Sequence, residues 1–241
     1  MRVLFLGENR SRFSSVCLEA LLVSGCGHMT VGIGGWTFQA WWRRVARGLR
    51  QRGVWRELIA AAGRAWHQGA AFCGQFNGRG PGMLSLYRLL AEHEGTPHYR
   101  VRAVNAPEHL ARLRALAPDV IFTAGFTQIL GPAVIQLPPL GCINLHPSLL
   151  PGYRGLRPLR RVLENREKVT GVSLHYVDSG IDTGDLIAQE IVPIEPGDDE
   201  RCLFARCAPV AARLMVTTAR RLAEGERLPR RPQGEQVATA L

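Results

Sequence analysis

Short apolar runs and longer amphipathic stretches take turns along most of this chain. Arg2 to Gly7 reads as a strand closed by glycine. The next stretch places Val16, Leu18, Leu21 and Leu22 on one helical face, and His28 to Ile33 reads as a second strand. Pro81 to Glu94 predicts a helix and Tyr99 to Val104 a strand. Ala106 to Leu116 predicts a helix with Pro107 in its first turn, where a missing N–H leaves no bond unmade. Asp119 to Ala124 and Gly141 to Leu145 are apolar runs of the kind found in strands buried on both faces. Leu156 to Asn165 predicts a helix, Thr170 to Val177 alternates apolar with polar, and Leu186 to Ile194 predicts another strand. Glu200 to Glu224 predicts a long helix burying Leu203, Phe204, Cys207, Ala211, Leu214, Met215 and Leu222. Such alternation predicts an α/β fold: an open, mostly parallel, Rossmann-like sheet of about seven strands flanked by helices.

Trp36 to Gly80 departs from that rhythm. Phe38, Trp41, Trp42, Val45, Ala46 and Leu49 share one helix face, and Arg43, Arg44, Arg47 and Arg50 lie opposite. Trp55, Leu58, Ile59, Ala62 and Trp66 repeat the pattern. The organisation expected is therefore one domain over 1–228 carrying a basic, Trp-rich helical insert at about 36–80, then a loosely held tail over 229–241. The insert can pack its Trp face on its own domain or form a homodimer contact. A peripheral membrane contact through the helices of 36–66 is a further alternative.

Composition changes this picture little. The formal charge of +10 suits an anionic partner. However, Lys168 is the single lysine, so the arginines reflect a compositional skew as much as phosphate recognition. Six cysteines without a C-x-x-C pair read as reduced thiols. No apolar run approaches the roughly 20 residues of a membrane span. Together these point to a cytoplasmic protein.

The chemistry concentrates after the strand that starts at Gly141. Asn144 and His146 are two apart and point the same way from an extended chain. An amide N–H can hold a carbonyl oxygen as it becomes an oxyanion. An imidazole can donate to that oxygen or take a proton from an attacking amine. Asp182 is expected to raise the pKa of His146 and favour its charged form. A metal-dependent hydrolase site made of His146, His175, Asp178 and Asp182 is a rival, although no ligand spacing supports it. A non-catalytic nucleotide-binding module is another; Gly7-Glu8-Asn9-Arg10-Ser11 lacks G-x-G-x-x-G.

Three ordered blocks carry a resemblance. They are Ala124-Gly125-Phe126-Thr127-Gln128-Ile129-Leu130, Asn144-Leu145-His146-Pro147-Ser148-Leu149-Leu150-Pro151, and Thr170 through Gly184 with Asp182 near its end. In these blocks the chain resembles the folate-dependent formyltransferases, the family of the glycinamide ribonucleotide, methionyl-tRNA and sugar N-formyltransferases. The resemblance implies 10-formyltetrahydrofolate as donor co-substrate and no metal. It implies that Asn144 and His146 polarise the formyl oxygen and that Asp182 orients and tunes His146. Phe126, Thr127, Gln128, Ile129 and Leu130 would line one side of the pterin slot, and Val177, Asp178 and Ile181 the other. His175, Tyr153 and Arg154 would lie on the acceptor side. The bond Leu150–Pro151 can be cis in such proteins.

The acceptor expected is a primary amine, an amino sugar (nucleotide-linked) or another small amine. The glycinamide ribonucleotide role is disfavoured by Gly7-Glu8-Asn9-Arg10-Ser11, which departs from a Gly- and Asn-rich phosphate loop. A methionyl-tRNA acceptor, and nucleic acid in general, is disfavoured because the chain ends near Arg231-Pro232-Gln233, where the catalytic domain of those enzymes gives way to a second one. Hydrolysis of 10-formyltetrahydrofolate remains an alternative chemistry.

Overall fold

The computed structural model describes residues 1–34 and 85–234. The Trp-rich insert and its packing, dimer and membrane alternatives fall outside the described residues. The rest forms a seven-stranded sheet in the order β3-β2-β1-β4-β5-β6-β7. Its strands are β1 (Arg2–Glu8), β2 (His28–Gly34), β3 (His98–Val101), β4 (Val120–Ala124), β5 (Cys142–His146), β6 (Val169–Tyr176) and β7 (Leu186–Pro193). The first five run parallel and the last two antiparallel. The expected open, mostly parallel sheet is therefore present.

Alternation along the strands sorts the core into two layers. Val3, Phe5, Val120, Phe122, Ile143 and Leu145 face α1 (Arg12–Ser24), α2 (Leu86–Glu92), α5 (Pro158–Glu164) and α6 (Glu200–Ala223). Leu4, Leu6, Ile121 and Cys142 face α3 (Pro107–Leu116) and the short α4 (Pro132–Ile135). The helix α4 has no counterpart in the sequence reading. On α6 the residues the periodicity selects are buried, joined by Ala208, Thr218 and Ala219, apart from Phe204, which is half-buried with its ring edge-on to Phe13 at 4.8 Å.

On α1 the buried face is rotated from the expected one. Ser14, Ser15, Cys17, Leu18 and Leu21 are buried, while Val16 and Leu22 are only half-covered. The rotation has a polar cause. Ser14 Oγ donates to Ala124 O at 2.5 Å and accepts from Glu8 N at 3.1 Å, so this hydroxyl ties α1 to the ends of β1 and β4. Gly125 completes the joint. It adopts φ +59°, and a Cβ there would lie 2.1 Å from Ser11 Oγ, the side chain that caps α1.

Within the described residues, the segment after Leu228 is anchored at two positions. Arg231 pairs with Leu186 through two backbone bonds of 2.7 and 3.1 Å, and the Arg230 guanidinium stacks 3.6 Å from the Tyr176 ring centroid. The order of strands reverses between β1 and β4, and the loops after β1, β4 and β5 emerge at their carboxyl ends. Open α/β sheets place their ligands there.

Candidate active site

Asn144 and His146 occupy the last turn of the pleat on β5. The next residues form a tight loop with a cis Leu150–Pro151 bond. Buried polar groups of β6 and β7 brace that loop from below. Ser173 Oγ donates to Ser148 O at 2.6 Å and accepts from Leu150 N, and Gln189 Nε2 donates to Leu150 O at 2.8 Å. The polar positions of β6 are thus buried, so its alternation does not mark a wet face.

Asp182 reaches the site from the loop between β6 and β7. Its backbone is left-handed, φ 52°, a region that Asp tolerates better than most residues. Gly184 lets the loop close tightly, because a Cβ there would lie 2.0 Å from Tyr176 O. The Asp182 carboxylate then meets four groups, among them His175 Nε2 at 3.5 Å from Oδ1. Oδ2 accepts from Gly155 N at 2.8 Å and lies 3.4 Å from His146 Nδ1, and Oδ1 accepts from Asn144 Nδ2 at 3.2 Å. Asn144, His146 and Asp182 therefore form one contiguous cluster, as the sequence implies.

Asn144 has its amide orientation fixed from behind. Thr123 Oγ1 donates to Asn144 Oδ1 at 2.7 Å, which turns Nδ2 toward Asp182 and toward His175 Nε2 at 3.1 Å. A flipped amide would set its oxygen against the carboxylate. Thr123 and Asn144 are register neighbours on β4 and β5. The sequence reading passed over Thr123 because a threonine in an apolar strand reads as a β-branched filler. Thr123→Val is expected to lower turnover about 3- to 10-fold, the equivalent of one hydrogen bond. Thr123→Ser should restore it, and steady-state kinetics of the two variants checks this.

His146 is 5 % exposed. Its Nε2 lies 3.0 Å from Tyr153 O, a carbonyl, so Nε2 carries a hydrogen and Nδ1 is the nitrogen left to accept one. Burial lowers the pKa of this ring, and the Asp182 charge and the Tyr153 carbonyl only partly oppose it. The expected direction of the Asp182 effect holds, since its charge raises the pKa of His146. Desolvation, the larger cause, outweighs it, so the net shift is downward. For Asp182, burial works upward but is overcome by the His175 hydrogen bond, the His146 charge and the Gly155 N–H. Its pKa falls to about 2.

The expected acceptor-side residues are placed differently from the expectation. His175 is 2 % exposed and sits behind Asn144, with Nδ1 on Tyr176 O at 2.7 Å. Its Nε2 lies 3.1 Å from Asn144 Nδ2 and 3.5 Å from Asp182 Oδ1. The Tyr153 hydroxyl bonds Glu167 and Asn165, so its carbonyl is the part that serves the site. The Arg154 guanidinium is held by Gln233 Oε1, at 3.0 Å from Nε and 2.5 Å from Nη2.

In the slot loops, side chains hold the backbone in place. Thr127 Oγ1 donates to the buried Glu8 at 2.6 Å, and Gln128 Oε1 accepts from Val104 N at 2.8 Å. Asn105 clamps both Ile129 O and Gly131 N. Phe126 is half-buried and Leu130 buried in the core layer behind. Across the slot, Val177 N donates to Cys142 O, and Asp178 Oδ1 accepts from Gly180 N and Thr183 Oγ1 as a turn former. The side chains of Thr127, Gln128 and Asp178 are therefore engaged in bonds to the protein itself. Ile129 and Ile181 leave more than half of their surface exposed, giving each loop an apolar tip. Among the described residues, no group of three or more His, Cys, Asp or Glu side chains is placed to hold a metal ion.

The model of the formyl transferase family matches residues 85–219, more than half of the chain. The methionyl-tRNA formyltransferase of Syntrophus aciditrophicus is 39% identical over 163 residues, which are 67% of this chain and 52% of that one. That of Synechococcus sp. (strain JA-3-3Ab) is 43% identical over 153 residues, 63% of this chain and 47% of that one. The matched part thus spans about half the length of these relatives. Among solved structures, phosphoribosylglycinamide formyltransferase from Anaplasma phagocytophilum shares the fold with a TM-score of 0.63 at 22% identity, covering 93% of this chain and 88% of that one. A Mycobacterium tuberculosis chain for which sugar N-formyl transfer has been suggested aligns with a TM-score of 0.59 at 16% identity, covering 97% of this chain and 72% of that one. The cluster of Asn144, His146 and Asp182 lies inside the matched region, and the chain belongs to the formyl transferase family.

Proposed function

We propose that this chain transfers the formyl group of 10-formyltetrahydrofolate to a primary amine. The observation that carries the reading is the cluster itself: an uncharged N–H donor and a buried imidazole whose Nδ1 faces a carboxylate, all at the end of β5. The apolar loop tips at Ile129 and Ile181 suit a flat pterin between them, recognised at its edge by backbone groups.

In this mechanism the Asn144 Nδ2–H directed at His175 Nε2 turns to the formyl oxygen, while the other stays on Asp182. The amine nitrogen bonds to the formyl carbon, and the carbonyl π pair moves onto oxygen, where Asn144 holds the negative charge. His146 Nδ1 takes the proton that the attacking nitrogen releases, and Asp182 stabilises the imidazolium so formed. The oxyanion then collapses, the bond from carbon to N10 breaks, and the proton held on His146 passes to N10. The products are a formamide and tetrahydrofolate. No external oxidant, reductant or metal is required by this balance.

His146 must be neutral to act, which fixes the sign of the pH dependence. The kcat/KM for the formyl donor, which reports the free protein, should fall on the acid side with an apparent pKa below the usual histidine value of 6.5. An acid limb centred above pH 7 that disappears with His146 would contradict a neutral resting ring.

For the acceptor, the reading is a small amine, with a nucleotide-linked amino sugar tested first. The identity of up to 43% to methionyl-tRNA formyltransferases and the +10 charge support a second reading, an aminoacyl-tRNA amine. A screen of amino sugars, glycinamide ribonucleotide and methionyl-tRNA with 10-formyltetrahydrofolate, following tetrahydrofolate release, tests both. Release that needs no amine would instead identify a hydrolase.

A further inference from the structure

The Asp182 loop is held from a direction that the catalytic cluster does not explain. Gln233, 51 residues further on, donates from Nε2 to Asp182 O at 2.9 Å and to Gly184 O at 2.8 Å. Its other amide atom, Oε1, accepts both bonds from Arg154. The Arg154 peptide lies between Tyr153, whose carbonyl anchors His146, and Gly155, whose N–H binds Asp182. One amide therefore ties together the two loops that position the imidazole and the carboxylate. The neighbouring chain is anchored at Arg230 and Arg231, so Gln233 is presented on a fixed strut.

We propose that Gln233 is a positioning residue for the reaction, a brace that sets Asp182 against His146. This rests on the catalytic roles assigned above. The physical case lies in the bond count. Asp182 sits in a left-handed conformation, and both carbonyls contacted by Gln233 flank that residue's turn. Without the amide, those carbonyls lose their donor and Arg154 its acceptor, and the 3.4 Å separation of His146 from Asp182 is free to widen.

Two variants separate the halves of the brace. Gln233→Ala removes both. Gln233→Glu keeps an acceptor for Arg154 but sets an oxygen against two carbonyl oxygens. Both are expected to lower kcat about 3- to 10-fold, the equivalent of one or two hydrogen bonds, with KM for the formyl donor changed less than twofold.

The second readout is independent of turnover. His146 is titrated by NMR in the folded protein, its signal identified by absence in His146→Gln. The charged and titrating groups acting on it are Asp182, His175 and Arg161. Moving the Asp182 charge away should shift the His146 midpoint down by about half a pH unit or more in both variants. Unchanged thermal unfolding, unchanged kcat and an unchanged midpoint would overturn the brace. So would a Gln233→Glu protein that behaves like the original, since Arg154 alone would then suffice. If the original protein transfers no formyl group, the assigned reaction fails, and the His146 midpoint still decides whether Gln233 positions the carboxylate.

Discussion

Replacing His146 with alanine is expected to lower formyl transfer by about 10²- to 10⁴-fold while folate binding survives. The size follows from what is lost. Nδ1 is the proton acceptor proposed for the cluster, because Nε2 is tied to Tyr153 O and the Asp182 carboxylate, with a pKa near 2, is far too weak a base. Asn144→Ala should cost about 10²- to 10³-fold, the cost of removing one donor from an oxyanion site. The two effects should not add. Once the oxyanion is unsupported, proton removal no longer limits the rate, so the double variant should lie close to the worse single one. Folate binding is checked by fluorescence titration with a non-transferable analogue. Near-original transfer in both single variants would remove the assigned roles.

Replacing Asp182 with asparagine is expected to cost about 10²-fold or more in kcat. The imidazolium formed in the reaction loses its counter-charge, and the Gly155 N–H loses its strongest acceptor. The acid limb should move to lower pH, because the charge that opposes desolvation of His146 is gone. Stability changes in a defined window as well. The carboxyl has a folded pKa of about 2 against an ordinary 3.8. Its stabilising contribution is fully present above the ordinary value and is lost as pH falls through the folded one. The asparagine protein should therefore unfold more easily than the original at pH 6 and show less difference near pH 2. Calorimetric melts across that range check this.

The architecture was legible because each strand of the parallel half is a short apolar run bounded by a turn, as Val120–Ala124 is. The cluster was legible because Asn144 and His146 share one side of β5, and Asp182 sits in a loop whose glycines mark a tight turn. What stayed hidden were the groups that act from a distance along the chain. Thr123 serves Asn144 from 21 residues away, and Gln233 serves Asp182 from 51. Neither contact leaves a local pattern, since hydrogen bonds between distant loops carry no periodicity. The sign of the His146 shift was hidden for a related reason. A neighbouring carboxylate can be read from a motif, but the depth of burial that outweighs it arises only when β5, β6 and the loop after β5 close over the ring. Tyr153 and Arg154 drew attention as polar loop residues beside the signature. Their side chains face Glu167, Asn165 and Gln233, and the carbonyl of Tyr153 does the positioning.

The most direct test follows the formyl carbon itself. 10-Formyltetrahydrofolate labelled with ¹³C in the formyl group is mixed with the protein and each amine of the acceptor panel, and the label is located by NMR. The account predicts that the label appears as a formamide on one amine, in step with tetrahydrofolate release, and that both signals vanish with His146→Ala. Label recovered as formate at the same rate with or without an amine would contradict it.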